Sequence, residues 1–192
     1  TDDLIEIGTT ALDKESGTHM SKPEKKVTLV DTVEYSGLKK GQEYRLVGNL
    51  MNAETGEAIL VDGKPVTAEK TFTAKKSSGT VDVSFTFDAT SLAGQTTVIF
   101  EELYQGDLKL AVHTDLKDQD QQISFPEIGT QAKDGKDGDQ EVLVEKKATI
   151  VDTVSYKNLP AGEYKLVGTL MDKETKKEVL IDGKPVTAET TF

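Results

Sequence analysis

Residues Val27–Leu38 read VTLVDTVEYSGL, and the chain returns to them at Ala148–Leu159 as ATIVDTVSYKNL, with Asp31 and Asp152 121 positions apart. At a period of two, Val27, Leu29, Asp31, Val33 and Tyr35 fall on one face of a strand. All of these except Asp31 are apolar, which makes that face the core face. Asp31 therefore occupies an inward position, where a carboxylate is expensive to bury. The second copy repeats the arrangement with Ala148, Ile150, Asp152, Val154 and Tyr156. A carboxyl group kept at the same inward position in both copies implies a chemical role.

On either side of this stretch the chain is a series of short runs separated by turn residues. LIEIGTTALD places Ile5, Ile7, Thr9 and Ala11 on one face, and a polar loop (Lys14–Lys26) leads from it to the Asp31 strand. EYRLVGNLM is the next strand, and Asp62-Gly63 is a hairpin-type turn ahead of PVTAEKTF. TVDVSFTF aligns Val81, Val83, Phe85 and Phe87, and ATSLAG reads as a turn. TTVIFEELY and DLKLAVHTDL form a hairpin around Gln105-Gly106-Asp107, and QQISF is expected as the last strand, closed by Pro126. Short strands with turn signals about every 8 to 12 residues predict an all-β fold, an immunoglobulin-like β-sandwich.

After Pro126 the pattern restarts. EIGTQAKD follows EIGTTALD, EYKLVGTLMDKET follows EYRLVGNLMNAET, and DGKPVTAE at Asp182–Glu189 is identical to Asp62–Glu69. A repeat of this length means tandem domains, not a solenoid of short units. Residues 1–125 read as one complete repeat, and 126–192 as the N-terminal half of a second, truncated copy. The counterparts of Thr73–Phe125 are absent from it.

Composition removes several classes of function. A net charge of −11 argues against nucleic acid or an anionic membrane surface as a partner. No run is long enough to span a membrane, and no N-terminal segment resembles a signal peptide. There are no cysteines and only two histidines, His19 and His113, so neither a thiolate nor a histidine metal site is expected, and no cofactor. The DGKDGD loop (Asp134–Asp139) does not have EF-hand spacing and reads as a solvated turn.

What remains is a set of polar residues at inward positions. Thr9 shares a face with Ile5, Ile7 and Ala11, and Gln121 shares one with Ile123 and Phe125 on the last strand. His113 ends a strand, and Glu101 lies in VIFEELY, both faces of which carry apolar residues. His19, in a polar loop, is given no role, and Asp115 and Asp118 read as a solvated turn. A hydroxyl, an amide, a histidine and buried carboxyl groups are the parts needed to join Thr9 to Gln121. His113 would take the threonine proton as general base. A carboxylic acid kept neutral by burial would donate a hydrogen bond to the Gln121 carbonyl. A side-chain amide is a poor electrophile, so proximity must contribute, and effective molarities of about 10⁵ to 10⁸ M are open to well-oriented groups. The product is a Thr–Gln ester, with ammonia released.

These residues resemble a known family, the ester-bond (VaFE-type, or T-Q) repeat domains of Gram-positive surface adhesins. VIFE at Val98–Glu101 is similar to its V-x-F-E signature. HTDLKDQDQ at His113–Gln121 resembles its H-x-D-[IL]-x-D-x-x-Q segment, and IGTTALD the segment carrying the linking threonine. The resemblance covers residues 3–125 and the second copy as far as it runs. It implies an immunoglobulin-like domain in a cell-wall-anchored extracellular stalk, with an autocatalytic cross-link between Thr9 and Gln121 promoted by Asp31, Glu101 and His113. Such a domain is not an enzyme in the turnover sense. Its partners are neighbouring repeats of the same polypeptide, and another part of the adhesin contacts the host ligand. Asp88 and Asp118 stay open as substitutes for Glu101. Thr9 is preferred to Thr10 because the second copy keeps Thr130 but has Gln131 opposite Thr10. Thr130 and Asp152 are the second repeat's incomplete set, and with the acceptor segment missing Thr130 is expected to carry no bond.

Three other readings make different demands on these residues. A hydrolase using Thr9, His113 and Asp31 needs an open pocket, which a core-facing nucleophile does not offer. A ligand-binding adhesin module without an internal bond is the alternative. A Lys–Asn isopeptide bond ranks low, because no lysine falls in an inward register near an asparagine.

Overall fold

Alternation along the chain is realised strand by strand in the computed structural model, which describes residues 4–192. The first repeat runs β1 (Glu6–Asp13), β2 (Val27–Ser36), β3 (Glu43–Asn52), β4 (Leu60–Val61), β5 (Lys64–Pro65), β6 (Thr67–Thr73), β7 (Gly79–Phe87), β8 (Thr96–Gln105), β9 (Leu108–His113) and β10 (Gln122–Ser124). In β2 each of Val27, Leu29, Asp31, Val33 and Tyr35 is buried, and the residues between them are not. The Asp62-Gly63 turn has both residues at positive φ (51° and 76°), as a tight hairpin needs.

Two antiparallel sheets face one another. One is ordered β1-β2-β7, the other β10-β8-β3-β6, with β9 also paired to β8. Leu29, Val33 and Phe85 from the first sheet meet Leu46, Leu50, Ile99, Leu103 and Ile123 from the second in a continuous core. Each such side chain contributes roughly 1.5–3 kcal/mol by leaving water. This is an all-β, immunoglobulin-like sandwich.

One irregularity places the site. β10 pairs with β8 at Thr96–Val98 and β9 pairs with it at Glu101–Gln105, both on the edge of β8 that β3 does not use. Ile99 and Phe100 lie between the two pairings. The chain between β9 and β10 forms a 3₁₀ turn at Gln119–Gln121, capped by the Asp118 carboxylate accepting from the Asp120 N–H. QQISF is therefore strand only from Gln122, and Gln121 ends the turn. Its inward alternation survives, since Gln121, Ile123 and Phe125 are all fully buried. ATSLAG contains a second 3₁₀ turn, Thr90–Leu92.

The chain divides into two compact units, the first ending at Leu159 and the second spanning Pro160–Phe192. The first contains the whole first repeat and a hairpin of β11 (Glu127–Asp134) with β12 (Ile150–Lys157). That hairpin copies the β1–β2 register: Thr130 lies opposite Val154 and Ala132 opposite Asp152, as Thr9 lies opposite Val33 and Ala11 opposite Asp31. The second unit pairs β13 (Lys165–Thr169) with β16 (Thr187–Thr191) and β14 (Leu180–Ile181) with β15 (Lys184–Pro185), and its Tyr164 and Phe192 rings stack 5.8 Å apart. Ile150 is 43% exposed where its counterpart Leu29 is wholly buried. β7, which pairs with β2 beside Leu29, and β8 and β10 of the facing sheet have no equivalent within residues 126–192. Among the described residues no helix is long and apolar enough to cross a membrane.

Candidate functional site

β8 and β3 set one wall of the site. Gly48 on β3, Glu101 on β8 and His113 on β9 are register partners in a single row across the sheet. Cross-strand partners project to the same side, so the buried Glu101 brings His113 inward with it. The row depends on Gly48, because a Cβ there would collide with Glu101 Oε1 and Phe85 Cζ. The glutamate carboxyl lies in the space a side chain would fill.

The opposite wall is β1 and β2. Thr9 is opposite Val33, and Asp31 sits two residues along, opposite Ala11, so Thr9 and Asp31 are diagonal neighbours. Thr9 is 8% exposed and Asp31 is fully buried, like Glu101 and Gln121. β1 also runs beside β9, β10 and the 3₁₀ turn that ends in Gln121. The fold thus brings Thr9, Asp31, Glu101, His113 and Gln121 to one region.

Gln121 is held through its nitrogen. Nε2 donates to Asp31 Oδ2 at 3.2 Å and to the Ile99 carbonyl at 3.1 Å, the carbonyl that faces the gap between β9 and β10. Both partners are acceptors, which fixes the orientation of the amide. Asp31 accordingly meets the nitrogen of the amide, and the Gln121 carbonyl oxygen is without a hydrogen-bond partner.

The carboxyl pair is short of charge. Burial, together with the neighbouring Asp31 charge, pushes Glu101 up to about 9. Burial raises Asp31 to about 6, opposed by its bonds to Gln121 and Glu101 and by His113. Near neutral pH the pair as a whole holds one proton. Neither Glu101 oxygen has a hydrogen-bond partner.

His113 is half-buried. Its Nε2 lies 2.6 Å from Asp118 Oδ2, and Asp118 Oδ1 in turn accepts from the Asp120 N–H. Asp118 is therefore not a free residue of a solvated turn. With Nε2–H donating to the Asp118 carboxylate, Nδ1 is the ring nitrogen left free to accept a proton. The H-x₄-D spacing in HTDLKD was the available signal. Asp88, the other substitute acid, is exposed and accepts from the Thr90 N–H and hydroxyl. His19 also has a place, with its ring Nδ1 3.2 Å from the Gln122 carbonyl and its own carbonyl accepting from the Ser124 N–H.

Among the described residues, the buried side-chain oxygens without a hydrogen-bond partner are Thr9 Oγ1, Asp31 Oδ1, both oxygens of Glu101, and Gln121 Oε1. All belong to this one cluster. An unsatisfied buried polar group costs about 1–3 kcal/mol, so the fold carries this cost concentrated at one place. In the second repeat Thr130 and Asp152 are exposed. The DGKDGD loop brings the Asp134, Asp137 and Asp139 carboxylates within 4.8 Å of one another, with only Asp134 buried.

Comparison with known proteins agrees with this picture. Residues 5–125 and 126–192 each match the T-Q ester bond containing domain. No curated protein matches the sequence. Among solved structures, a bacterial adhesin from Mobiluncus mulieris containing intramolecular disulfide, isopeptide and ester bond cross-links is similar in one crystal form with a TM-score of 0.57. The sequence identity is 14%, and 90% of each chain is covered. In a second crystal form the TM-score is 0.53, also at 14% identity, with 90% of this chain and 91% of the other covered.

Proposed function

Because the chain belongs to the T-Q ester bond containing domain family over both of its repeats, we propose that it is a structural segment of a bacterial surface adhesin, whose complete repeat joins Thr9 to Gln121 by an ester. The observation that carries this reading is the cluster of unpaired buried oxygens at Thr9, Asp31, Glu101 and Gln121.

In the proposed reaction His113 Nδ1, oriented through Nε2 by Asp118, takes the Thr9 hydroxyl proton as Oγ1 attacks Gln121 Cδ. The C–O bond forms and the amide carbonyl becomes a tetrahedral oxyanion. As that intermediate collapses, the C–N bond breaks and the proton held by Glu101 passes, through Asp31, to the departing nitrogen. Ammonia leaves, and protonated His113 returns a proton to the carboxyl pair. Proton count is conserved, and one repeat reacts once. Asp31, Glu101 and Gln121 are fully buried and Thr9 nearly so, which favours this over a hydrolase acting on an external substrate. Removal of water by the core protects the ester once it is made.

The reading extends to a wall-anchored stalk on a Gram-positive cell, with neighbouring repeats as mechanical partners and the host ligand held elsewhere in the polypeptide. The M. mulieris protein is a bacterial adhesin with internal cross-links, which supports the adhesin part of this reading. The present chain has no cysteine and cannot use a disulfide. An ester between positions 9 and 121 closes a loop of over a hundred residues. By analogy with disulfides this restricts the unfolded chain by roughly 4.7 kcal/mol. The mechanical effect is larger. Force that enters at β1 and leaves after β10 runs through the covalent tie and bypasses the hydrogen-bonded sheets. Single-molecule stretching of wild type against Thr9→Ala tests the stalk role. Wild type should withhold the contour length between residues 9 and 121 at forces that fully extend the variant. Full extension of both at the same force would refute it.

A further inference from the structure

The end of the first repeat carries a set of bonds that the ester chemistry does not use. Asn158, just past β12 of the second repeat, has φ of 64°. Asparagine is among the few non-glycine residues that tolerate this left-handed conformation. Its half-buried side chain reaches back into the first repeat. Nδ2 donates to the Gln95 carbonyl at 2.7 Å and to the Phe125 carbonyl at 3.2 Å, while Oδ1 accepts from Thr96 Oγ1 at 2.9 Å. The Asn158 carbonyl accepts from Ser124 Oγ at 2.7 Å. Gln95 and Phe125 also bond each other's neighbourhood through the backbone, Phe125 N–H to Gln95 O at 2.9 Å and Gly94 N–H to Phe125 O at 2.8 Å. The Asn158 amide therefore uses the second lone pair of each carbonyl and fills every one of its own bonding positions but one acceptor site.

We propose that Asn158 is an inter-repeat latch: the end of one repeat, formed by Gln95, Thr96, Ser124 and Phe125, is a docking site for the asparagine that follows β12 of the next. Two further observations support it. β11 and β12 form a two-stranded ribbon that is almost wholly exposed, and such a ribbon is marginal on its own in water. Its order has to come from an anchor. Gly94 is the second contact point, since a Cβ there would meet Glu127 Oε2 at 3.0 Å and the Lys157 side chain at 3.2 Å. The equivalent of Asn158 in the first repeat is Gly37, which has φ of 81° and no side chain with which to dock. A Cβ at Gly37 would strike the Leu4 backbone. The chain thus carries one latched position and one unlatched position at the same place in its repeat, so joint stiffness is written repeat by repeat at this residue.

Asn158→Gly in the full 192-residue chain isolates the side chain, because glycine keeps the backbone conformation without strain. Hydrogen exchange read by mass spectrometry should show β11 and β12 amides exchanging about tenfold or more faster, from the loss of three side-chain bonds. β2 and β7 should be unchanged. Thr96→Val removes a single bond and should act in the same direction with a smaller factor. Exchange in β11 and β12 that is the same in Asn158→Gly as in wild type would overturn the proposal. Intact mass on the same samples reports the Thr9–Gln121 ester separately, so loss of one result leaves the other standing.

Discussion

Replacing Gly48 by alanine puts a methyl group where Glu101 Oε1 and Phe85 Cζ already lie. Both neighbours are essentially without exposure, so neither moves into solvent to make room. Overpacking of this kind costs about 1–3 kcal/mol. Removing a glycine from a strand interior returns roughly 0.5–1 kcal/mol. The net expectation is a loss of about 1–2 kcal/mol, measured by urea unfolding in a Thr9→Ala background where no cross-link masks reversibility. In the reactive background Glu101 is displaced from Asp31, and the cross-linking rate, followed by intact mass against time, should fall by roughly 10²-fold. Gly168, the matching glycine of the second repeat, supplies the control. A Cβ there meets only the Ala188 carbonyl, at 3.9 Å, so Gly168→Ala should be neutral or mildly stabilising. If Gly48→Ala leaves stability within about 0.5 kcal/mol and the rate unchanged, Gly48 is not what accommodates the Glu101 carboxyl.

His113→Ala should give a folded repeat that cross-links about 10²- to 10⁴-fold more slowly, and Asp118→Asn, which keeps the shape but not the charge, should slow it in the same direction; wild-type rates in the mass time course would remove both residues from the reaction. In the bond-free Thr9→Ala repeat, Glu101 keeps a proton that the unfolded chain releases, since burial raises it from 4.5 to about 9. Its contribution is therefore complete below about pH 4.5 and is lost as pH rises toward 9, so urea stability should decline across that window. Asp31, raised to about 6, adds to the decline at its acidic end. Glu101→Gln should flatten the profile, and stability that rises with pH in the parent would contradict the assignment. Peptide mapping of this 192-residue chain should find Thr130 unmodified, because no residue up to Phe192 matches Gln121 in the second repeat; a Thr130–Gln linkage would break the repeat alignment.

The sandwich and its inward carboxylate were legible because β2 alternates without interruption and is present twice. Thr9 was legible for the same reason, since one face of β1 carries Ile5, Ile7 and Ala11 beside it. Gln121 was read as a strand residue, and period two gave the correct inward direction although the residue ends a 3₁₀ turn. Burial alternates from Gln121 to Phe125, so the pattern alone does not separate the end of the turn from the strand. Asp118 was under-read because its carboxylate acts through a histidine on another element, a relation that spacing suggests but only the β9-to-turn geometry establishes. Gly48 leaves a trace in the sequence, a glycine on the buried face of an alternating strand and repeated at Gly168, which marks close approach of another group. Asn158 had no such trace. Its partners are two carbonyl and two hydroxyl groups of the preceding repeat, and nothing in a local pattern predicts them.

A covalent bond between Thr9 and Gln121 changes the mass of the chain, and the mass of the folded wild-type protein tests for it most directly. Intact-mass spectrometry of the 192-residue protein should give a value below the sequence mass by one ammonia, and fragmentation should place the loss at a branched peptide joining Thr9 to Gln121. Thr9→Ala should have its full sequence mass. A folded wild-type protein at its unmodified mass would contradict the account.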